Sequence, residues 1–408
     1  MHIPAQTVTY LIMIFGLLVM PRALQRFRIP APLTCFAIGI LVAIFFKSQV
    51  GDRVGTVVAT FGIAALFLLA GLEVDVAEIR RQLPRLSGYL ASRAVFITAF
   101  AWVGIRYFHM SWQAATLLAL GLLTPSTGFI LDTLPNSGLD PSEQGEVSID
   151  AIAGEIMALL LLFLVSQSGS MVVLGTSAFI LLLLIIVTPF LFLFFGKYVV
   201  PYAPGSEFSL LLMVGIVCAV ITQNLGIHYL IGAFIAGLIA SLLKTRMATL
   251  ASNENLHAVR LFSSFFIPFY FFHEGLDVPA GALVLKSLLY GVLLSVIVIP
   301  IRLGKNWLQT RYLSHRTARA AFRVAVALEP TLIFTLVIAG VLHESFHIPD
   351  ALYGGLLVYA AATTILPSLV LPGLSIASEL DVQLDSDSAS NAAIPELSSN
   401  SNLDQTHS

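Results

Sequence analysis

Apolar stretches follow one another along almost the whole chain, separated by short polar breaks. A helix needs about 20 apolar residues to cross hydrocarbon. By that measure about thirteen spans are expected, at residues 7–20, 32–46, 54–72, 88–107, 112–134, 147–167, 172–195, 208–222, 227–243, 261–276, 283–303, 320–342 and 351–371. The pattern predicts an all-α polytopic membrane protein whose membrane domain occupies residues 1–372. Residues 373–408 are rich in Ser, Asp and Asn and poor in aromatics, so a disordered acidic tail is expected there.

Two spans are interrupted. The fifth carries Thr124-Pro125-Ser126-Thr127 and the twelfth Glu329-Pro330-Thr331. A proline inside a helix removes one backbone hydrogen bond and clashes with the preceding turn. The breaks lie seven spans apart, an odd offset, so the two segments run in opposite directions. Paired breaks of this kind predict inverted repeats with two broken helices crossing near mid-membrane. By the same offset the fourth span corresponds to the eleventh, and the sixth to the thirteenth.

Composition agrees with the pattern. The chain is 57% hydrophobic and 11% charged, against about a quarter charged in soluble domains. Its net charge of −2 gives no basis for nucleic-acid binding. Cys35 and Cys218 lie in apolar runs and make no disulfide framework or metal motif. The N-terminal stretch lacks a basic region and a cleavage pattern, and reads as the first span.

Loops after odd-numbered spans hold Arg22, Arg26, Arg28, Arg80, Arg81, Arg85, Lys197, Lys244, Arg246, Arg260, Lys305, Arg311, Arg316 and Arg319. Loops after even-numbered spans hold Lys47, Arg53 and Arg106. The positive-inside rule then places the N-terminus outside and the C-terminus in the cytoplasm; a plasma (inner) membrane is the expected location. One cytoplasmic loop departs from this: Asp132, Asp140, Glu143, Glu146 and Asp150 have no Lys or Arg among them. It reads either as a solvated loop or as an acidic mouth that concentrates cations.

Candidate chemistry centres on Glu155, a carboxylate well inside the sixth span. Such a charge costs about 2.5–3.5 kcal/mol on insertion scales, so an intramembrane acid is a functional hypothesis by default. Glu155 is expected to take a small cation and a proton by turns. Thr124, Ser126, Thr127, Ser148 and freed carbonyls would complete an oxygen shell, with Ser148 on the same helix face seven residues earlier. The bland alternative is a structural salt bridge to Arg302 or Arg93. Asp150, about 140° around the helix from Glu155, reads as a wetted residue outside that shell. Arg302 reads either as snorkelling to the cytoplasm or as a fixed charge that, with Glu329, compensates the broken helices. Arg93 and Arg323 are judged in the same way. His273 and Glu274, at an outer helix end, are expected to be solvated. A single exchanging carboxylate predicts one-for-one, electroneutral exchange.

Several segments resemble the monovalent cation/proton antiporters, especially their Kef-type branch. They are LFLLAGLEVDVAEIRRQL (66–83), LLTPSTGFILDTLPNSG around the first break, LGIHYLIGAFIAGLIAS (225–241) and FIPFYFFHEGLDV (266–278). The resemblance implies exchange of Na+ or K+ for H+, no cofactor beyond those transported ions, a homodimer in a lipid bilayer, and an ion-binding bundle moving against a scaffold. The family's ion-binding pair is Asp-Asp, Asn-Asp or Gln-Asp; here that pair is read as Gly154-Glu155. Arg302 stands where the family often has a Lys, and Glu329 matches the Glu of an Arg-Gly-Glu-Phe stretch. The family's nucleotide-binding regulatory domain is not present in this sequence. A channel-like potassium efflux pathway and a transport-inactive membrane sensor, the latter favoured by Gly154, are the alternatives. No protease constellation is visible in the spans, so no enzyme is expected.

Overall fold

A computed structural model describes residues 5–46, 53–203, 206–245 and 252–371. The acidic tail expected from residue 373 lies outside the described residues, as do Lys47 and Arg246. The described chain is helical, with no strand: α1 (Ala5–Gln25), α2 (Ala31–Phe46), α3 (Arg53–Leu72), α4 (Val76–Arg81), α5 (Leu83–Phe108), α6 (Trp112–Leu123), α7 (Thr127–Thr133), α8 (Pro141–Gln167), α9 (Met171–Tyr198), α10 (Glu207–Asn224), α11 (Tyr229–Leu242), α12 (Asn253–Leu276), α13 (Leu285–Leu313), α14 (Ala318–Ala327), α15 (Leu332–Phe346) and α16 (Asp350–Val370). Among the described residues eight helices are long and apolar enough to cross a membrane, with α6 and α7 taken as one. The bent pair α14 and α15, which meet at 45°, raises the number to nine.

The helices sort into two bundles. In the first, α3 packs against α10, α11 and α12, α2 against α1 and α12, α10 against α11, and α9 against α10 and α11. In the second, α5, α6, α7 and α14 surround α8, while α13 and α15 pack on α16. The bundles meet mainly through α3 with α7 and α8 with α9.

Small residues set how closely the first bundle packs. A side chain at Gly237 would overlap the Leu68 carbonyl of α3, and one at Gly275 would overlap the Phe36 carbonyl of α2. Lipid tails are as apolar as Leu, so helices in a membrane associate through such close backbone approach rather than through exclusion of water. Only glycine permits it at these two crossings.

Polar caps define the helix starts in the second bundle. Ser111 Oγ accepts from Ala114 N at the head of α6, and Thr317 Oγ1 accepts from Ala320 N at the head of α14. At α8, Asp140 N donates to Glu143 Oε2 (2.9 Å), one half of a capping box.

That capping box corrects the acidic-loop expectation. Helix α8 begins at Pro141, so Glu143, Glu146 and Asp150 lie on its first turns and are buried. Arg85 bonds Glu146 (2.9 Å) and Asp150 (2.6 Å), Arg316 bonds Glu146 (3.1 Å) and Arg323 approaches Glu143 (3.3 Å). The arginines arrive from α5, from the turn before α14 and from α14 itself, remote in sequence. These three acids are therefore neither a wetted loop nor an open cation-attracting mouth; they tie α8 to its neighbours.

Candidate functional site

The two interrupted helices cross in the second bundle. Pro125 has no N–H, and proline disfavours a helical conformation in the residue before it. Thr124 accordingly turns extended (φ −87°, ψ 123°) and α6 ends, while α7 restarts at Thr127. At the second break Glu329-Pro330-Thr331 separates α14 from α15. Each break frees carbonyls at the end of one half-helix and N–H groups at the start of the next.

Side chains satisfy these groups across the crossing. Ser126 N donates to Pro330 O (2.8 Å), and Ser126 Oγ accepts from Ile333 N (2.9 Å) and Phe334 N (3.3 Å). A serine of the first break therefore caps the half-helix that follows the second. The last carbonyls of α6 are each taken by a different donor: Gly121 O by Thr335 Oγ1 (2.7 Å), Leu122 O by the Tyr359 hydroxyl (2.6 Å) and Leu123 O by Arg93 Nη2 (2.8 Å). At the end of α14, Leu328 O accepts from Arg302 Nη2 (3.0 Å). Arg302 Nη1 also donates to the Tyr359 hydroxyl (3.0 Å) and lies 3.4 Å from Glu329 Oε2. Tyr359 thus links the two breaks through one oxygen.

Burial makes this network costly to disturb. Glu155 is 3% exposed, Glu329 0%, and Arg93 and Arg302 2% each. The snorkelling expectation for Arg302 is overturned: its guanidinium turns into the protein, onto Leu328, Tyr359 and Glu329. The salt-bridge alternative for Glu155 is also not seen, since Arg302 pairs with Glu329 and Arg93 bonds Tyr89 and Leu123. The Thr127 hydroxyl is within hydrogen-bonding reach of the Glu155 carboxylate, and Arg93 acts on it electrostatically from farther off.

Around the breaks and Glu155, five buried oxygens have no well-formed hydrogen bond: Thr124 Oγ1, Thr127 Oγ1, Glu155 Oε2 and both carboxylate oxygens of Glu329. A buried polar group without a partner costs about 1–3 kcal/mol. Oxygen atoms of carboxylate and hydroxyl type are the donor set that a hard monovalent cation or a proton takes. Thr124, Thr127 and Glu329 flank the breaks, and Glu155, on α8, lies close to Thr127. Ser126 differs from its expected role, because its hydroxyl is engaged by two backbone N–H groups. Ser148 is not brought to the breaks. It lies two turns along α8 from Glu155, about 10 Å of helix rise, and borders a cavity of about 840 Å³ with Glu73, Asp75, Ser241, Lys244 and Arg260.

Two further cavities approach the crossing from opposite ends of the helices. One, of about 570 Å³, lies where α3 ends and α12 begins, and reaches Gly128, Phe129 and Ile333, just past each break. It contains Asp132 and the ion pair of Arg260 with Glu73 (2.5 Å). Burial pushes the Glu73 carboxyl above its usual range, opposed by Arg260. The other, of about 550 Å³, lies where α12 and α15 end and is lined by Glu274, Asp277, His343 and Glu344. His273 and Glu274 are half-buried there rather than solvated, with His273 Nε2 3.6 Å from Asp277.

Sequence reading missed Tyr359 and Tyr89. Their signal was faint: an aromatic with a polar tip inside an apolar span, which when buried usually finds a partner. It also missed why residue 154 is glycine. A Cβ there would overlap the Arg93 guanidinium.

Comparison with known proteins agrees with this architecture. The family described as "Sodium/hydrogen exchanger, transmembrane" matches residues 10–380. The chain is 23% identical over 367 residues to a "Na(+)/H(+) antiporter" of Enterococcus hirae, covering 85% of this chain and 92% of that protein. It is 24% identical over 292 residues to "Probable Na(+)/H(+) antiporter 3" of Methanocaldococcus jannaschii, covering 66% and 70%. Among solved structures it is similar to the sodium proton antiporter MjNhaP1 of Methanocaldococcus jannaschii at pH 8, with a TM-score of 0.61 at 14% identity, covering 93% of this chain and 99% of that one. An electron-microscopy structure of the same antiporter gives 0.63 at 14% identity. At that identity the structural likeness speaks for the fold alone.

Proposed function

We propose that this chain, which belongs to the sodium/hydrogen exchanger family, exchanges a monovalent cation for a proton through alternate loading of Glu155. It is an integral membrane protein, and cation/proton exchange is the activity its family and named relatives support. One observation carries the finer reading: a buried carboxylate lies beside the Thr127 hydroxyl of a helix break, and Glu155 Oε2 and Thr127 Oγ1 have no well-formed hydrogen bond. Burial favours the protonated acid, and a bound cation favours the carboxylate. The two ligands therefore compete for one group, and loading one expels the other.

Several details belong to the same proposal. Na+ is the first cation to consider, because one named relative is a Na+/H+ antiporter and the other is named a probable one; K+ is the other candidate. Thr124 and Thr127 supply neutral oxygens beside Glu155, while Arg302 and Glu329 hold the second break. The matched bonds of Arg93 to Leu123 O and Arg302 to Leu328 O support the inverted repeat. Thirteen crossings, the N-terminus outside, a plasma (inner) membrane and a homodimer complete the reading. Placement in a Kef-type branch rests on the sequence motifs alone. Gly154 packs against Arg93, which gives a reason for glycine there other than loss of transport.

The test is purified protein in liposomes with a trapped pH dye, pulsed with Na+, K+ or Li+. Dye recovery with at least one cation is expected. Silence with all three contradicts exchange, and currents beyond carrier rates would favour the channel-like alternative.

A further inference from the structure

We infer that Arg93, seated in the notch left by Gly154, is a positioning residue: a fixed stand-in cation at the carbonyl end of α6 that lowers the affinity of Glu155 for the transported cation and so speeds its release. The inference rests on the exchange reading above and adds a residue and a role to it.

Three observations carry it. First, the end of a helix bears partial negative charge on its free carbonyls, and at a break facing a carboxylate this would be an additional cation ligand. All three terminal carbonyls of α6 are instead taken by protein donors. Two of those donors are neutral hydroxyls; Arg93, on Leu123 O, is the charged one. Second, the guanidinium reaches this place because α8 has no side chain at residue 154, where a Cβ would overlap Arg93. The residue next in sequence is Glu155, so the notch and the carboxylate lie on one helix. Third, Arg93 is 2% exposed and makes no ion pair among the described residues; its bonds go to the Tyr89 hydroxyl (2.9 Å) and to Leu123 O. At the second break the corresponding arginine, Arg302, is matched by Glu329. The charge of Arg93 has no such dedicated acid and is shared between Glu155 and Asp150, of which Asp150 is already paired with Arg85.

Other charged groups surround this pair. Tyr89 on α5, Arg302 and Lys305 on α13 and Asp150 on α8 act on Arg93. Asp150 is already held by Arg85 (2.6 Å). Arg93, Arg302 and Lys305 also line a common cavity of about 10 Å³, roughly one water in size. A permanently charged guanidinium (arginine is not deprotonated in proteins) therefore opposes any cation arriving at Glu155 throughout the cycle.

The test uses the full chain in liposomes, with initial exchange rates measured against cation concentration at the alkaline end of the activity range, where proton competition is least. Arg93→Gln should lower the KM for the cation by about tenfold, worth about 1.4 kcal/mol, and lower kcat as release slows. Arg93→Lys keeps the charge and should keep KM near the wild-type value. Gly154→Ala, which pushes the guanidinium away, should move KM in the same direction as Arg93→Gln and add little on top of it in the double variant. A KM that rises or stays constant in Arg93→Gln overturns the inference and leaves Arg93 a packing residue. Should a variant be too slow for kinetics, the rise in Tm on adding the cation to detergent-solubilised protein reads affinity directly; a rise at lower cation concentration than wild type supports the inference, and an equal or higher one overturns it. Glu155→Gln is run alongside. If that variant exchanges like wild type, the exchange reading fails; if it is silent while Arg93→Gln leaves KM unmoved, only the present inference fails.

Discussion

Glu329 is fully buried, its Oε2 is 3.4 Å from Arg302, and neither oxygen has a well-formed hydrogen bond. Removing one partner of a buried pair leaves the other uncompensated, at a cost of about 3–5 kcal/mol. Glu329→Gln should therefore lower the Tm in detergent by several degrees even in the absence of cation; an unchanged Tm would remove this pair from the account of how the second break is held. The chemistry at this scale was only partly legible in the sequence. A carboxylate inside an apolar span is conspicuous because hydrocarbon makes it expensive, and so Glu155 and Glu329 stood out. Tyr359 did not, because a tyrosine in a span is cheap and common, and its hydroxyl matters only once Arg302 and Leu122 O come within reach. Arg302 near a span end reads as a snorkelling residue until its partners, 26 and 57 residues away, are known. Gly154 reads as a missing ligand until Arg93 is seen against it.

At the scale of elements, the crossing of the breaks depends on serine as much as on proline. Proline interrupts each helix, but Ser126 Oγ is what joins them, accepting from Ile333 N and Phe334 N. Ser126→Ala leaves two backbone donors at the head of α15 without that partner. The expected cost is about 1–3 kcal/mol for the orphaned groups, read as a fall in Tm together with slower exchange at saturating cation. Wild-type values for both would contradict the capping role. Helix positions and the two breaks were legible, because apolar runs and mid-span prolines are local signals. The start of α8 was not. Glu143, Glu146 and Asp150 look like loop residues in isolation, and only the return of Arg85, Arg316 and Arg323 from distant segments makes their burial affordable.

For the whole molecule, the division into two bundles follows from which helices touch. The glycine-lined crossings of α2, α3, α11 and α12 build one tight body, and the broken helices build another around α8. Contact between them is concentrated at α3–α7 and α8–α9. Nothing in the sequence pattern distinguishes the bundles, since pairing of apolar faces is decided by tertiary contact. If Glu155 is the one exchanging carboxylate, each cycle swaps one proton for one monovalent cation and no net charge crosses. An imposed membrane potential in proteoliposomes should then drive no cation uptake without a pH or cation gradient. Uptake driven by potential alone would require a second titrating group in the cycle.

The most direct test of the central claim compares wild type with Glu155→Gln in liposomes carrying a trapped pH dye, after a pulse of Na+. The carboxamide is close in size to the acid and carries no charge, so the fold should be kept, which elution as a single folded species would check. Dye recovery in the wild type and none in the variant is the predicted result. Equal recovery in both would contradict it and move the exchanging group away from Glu155.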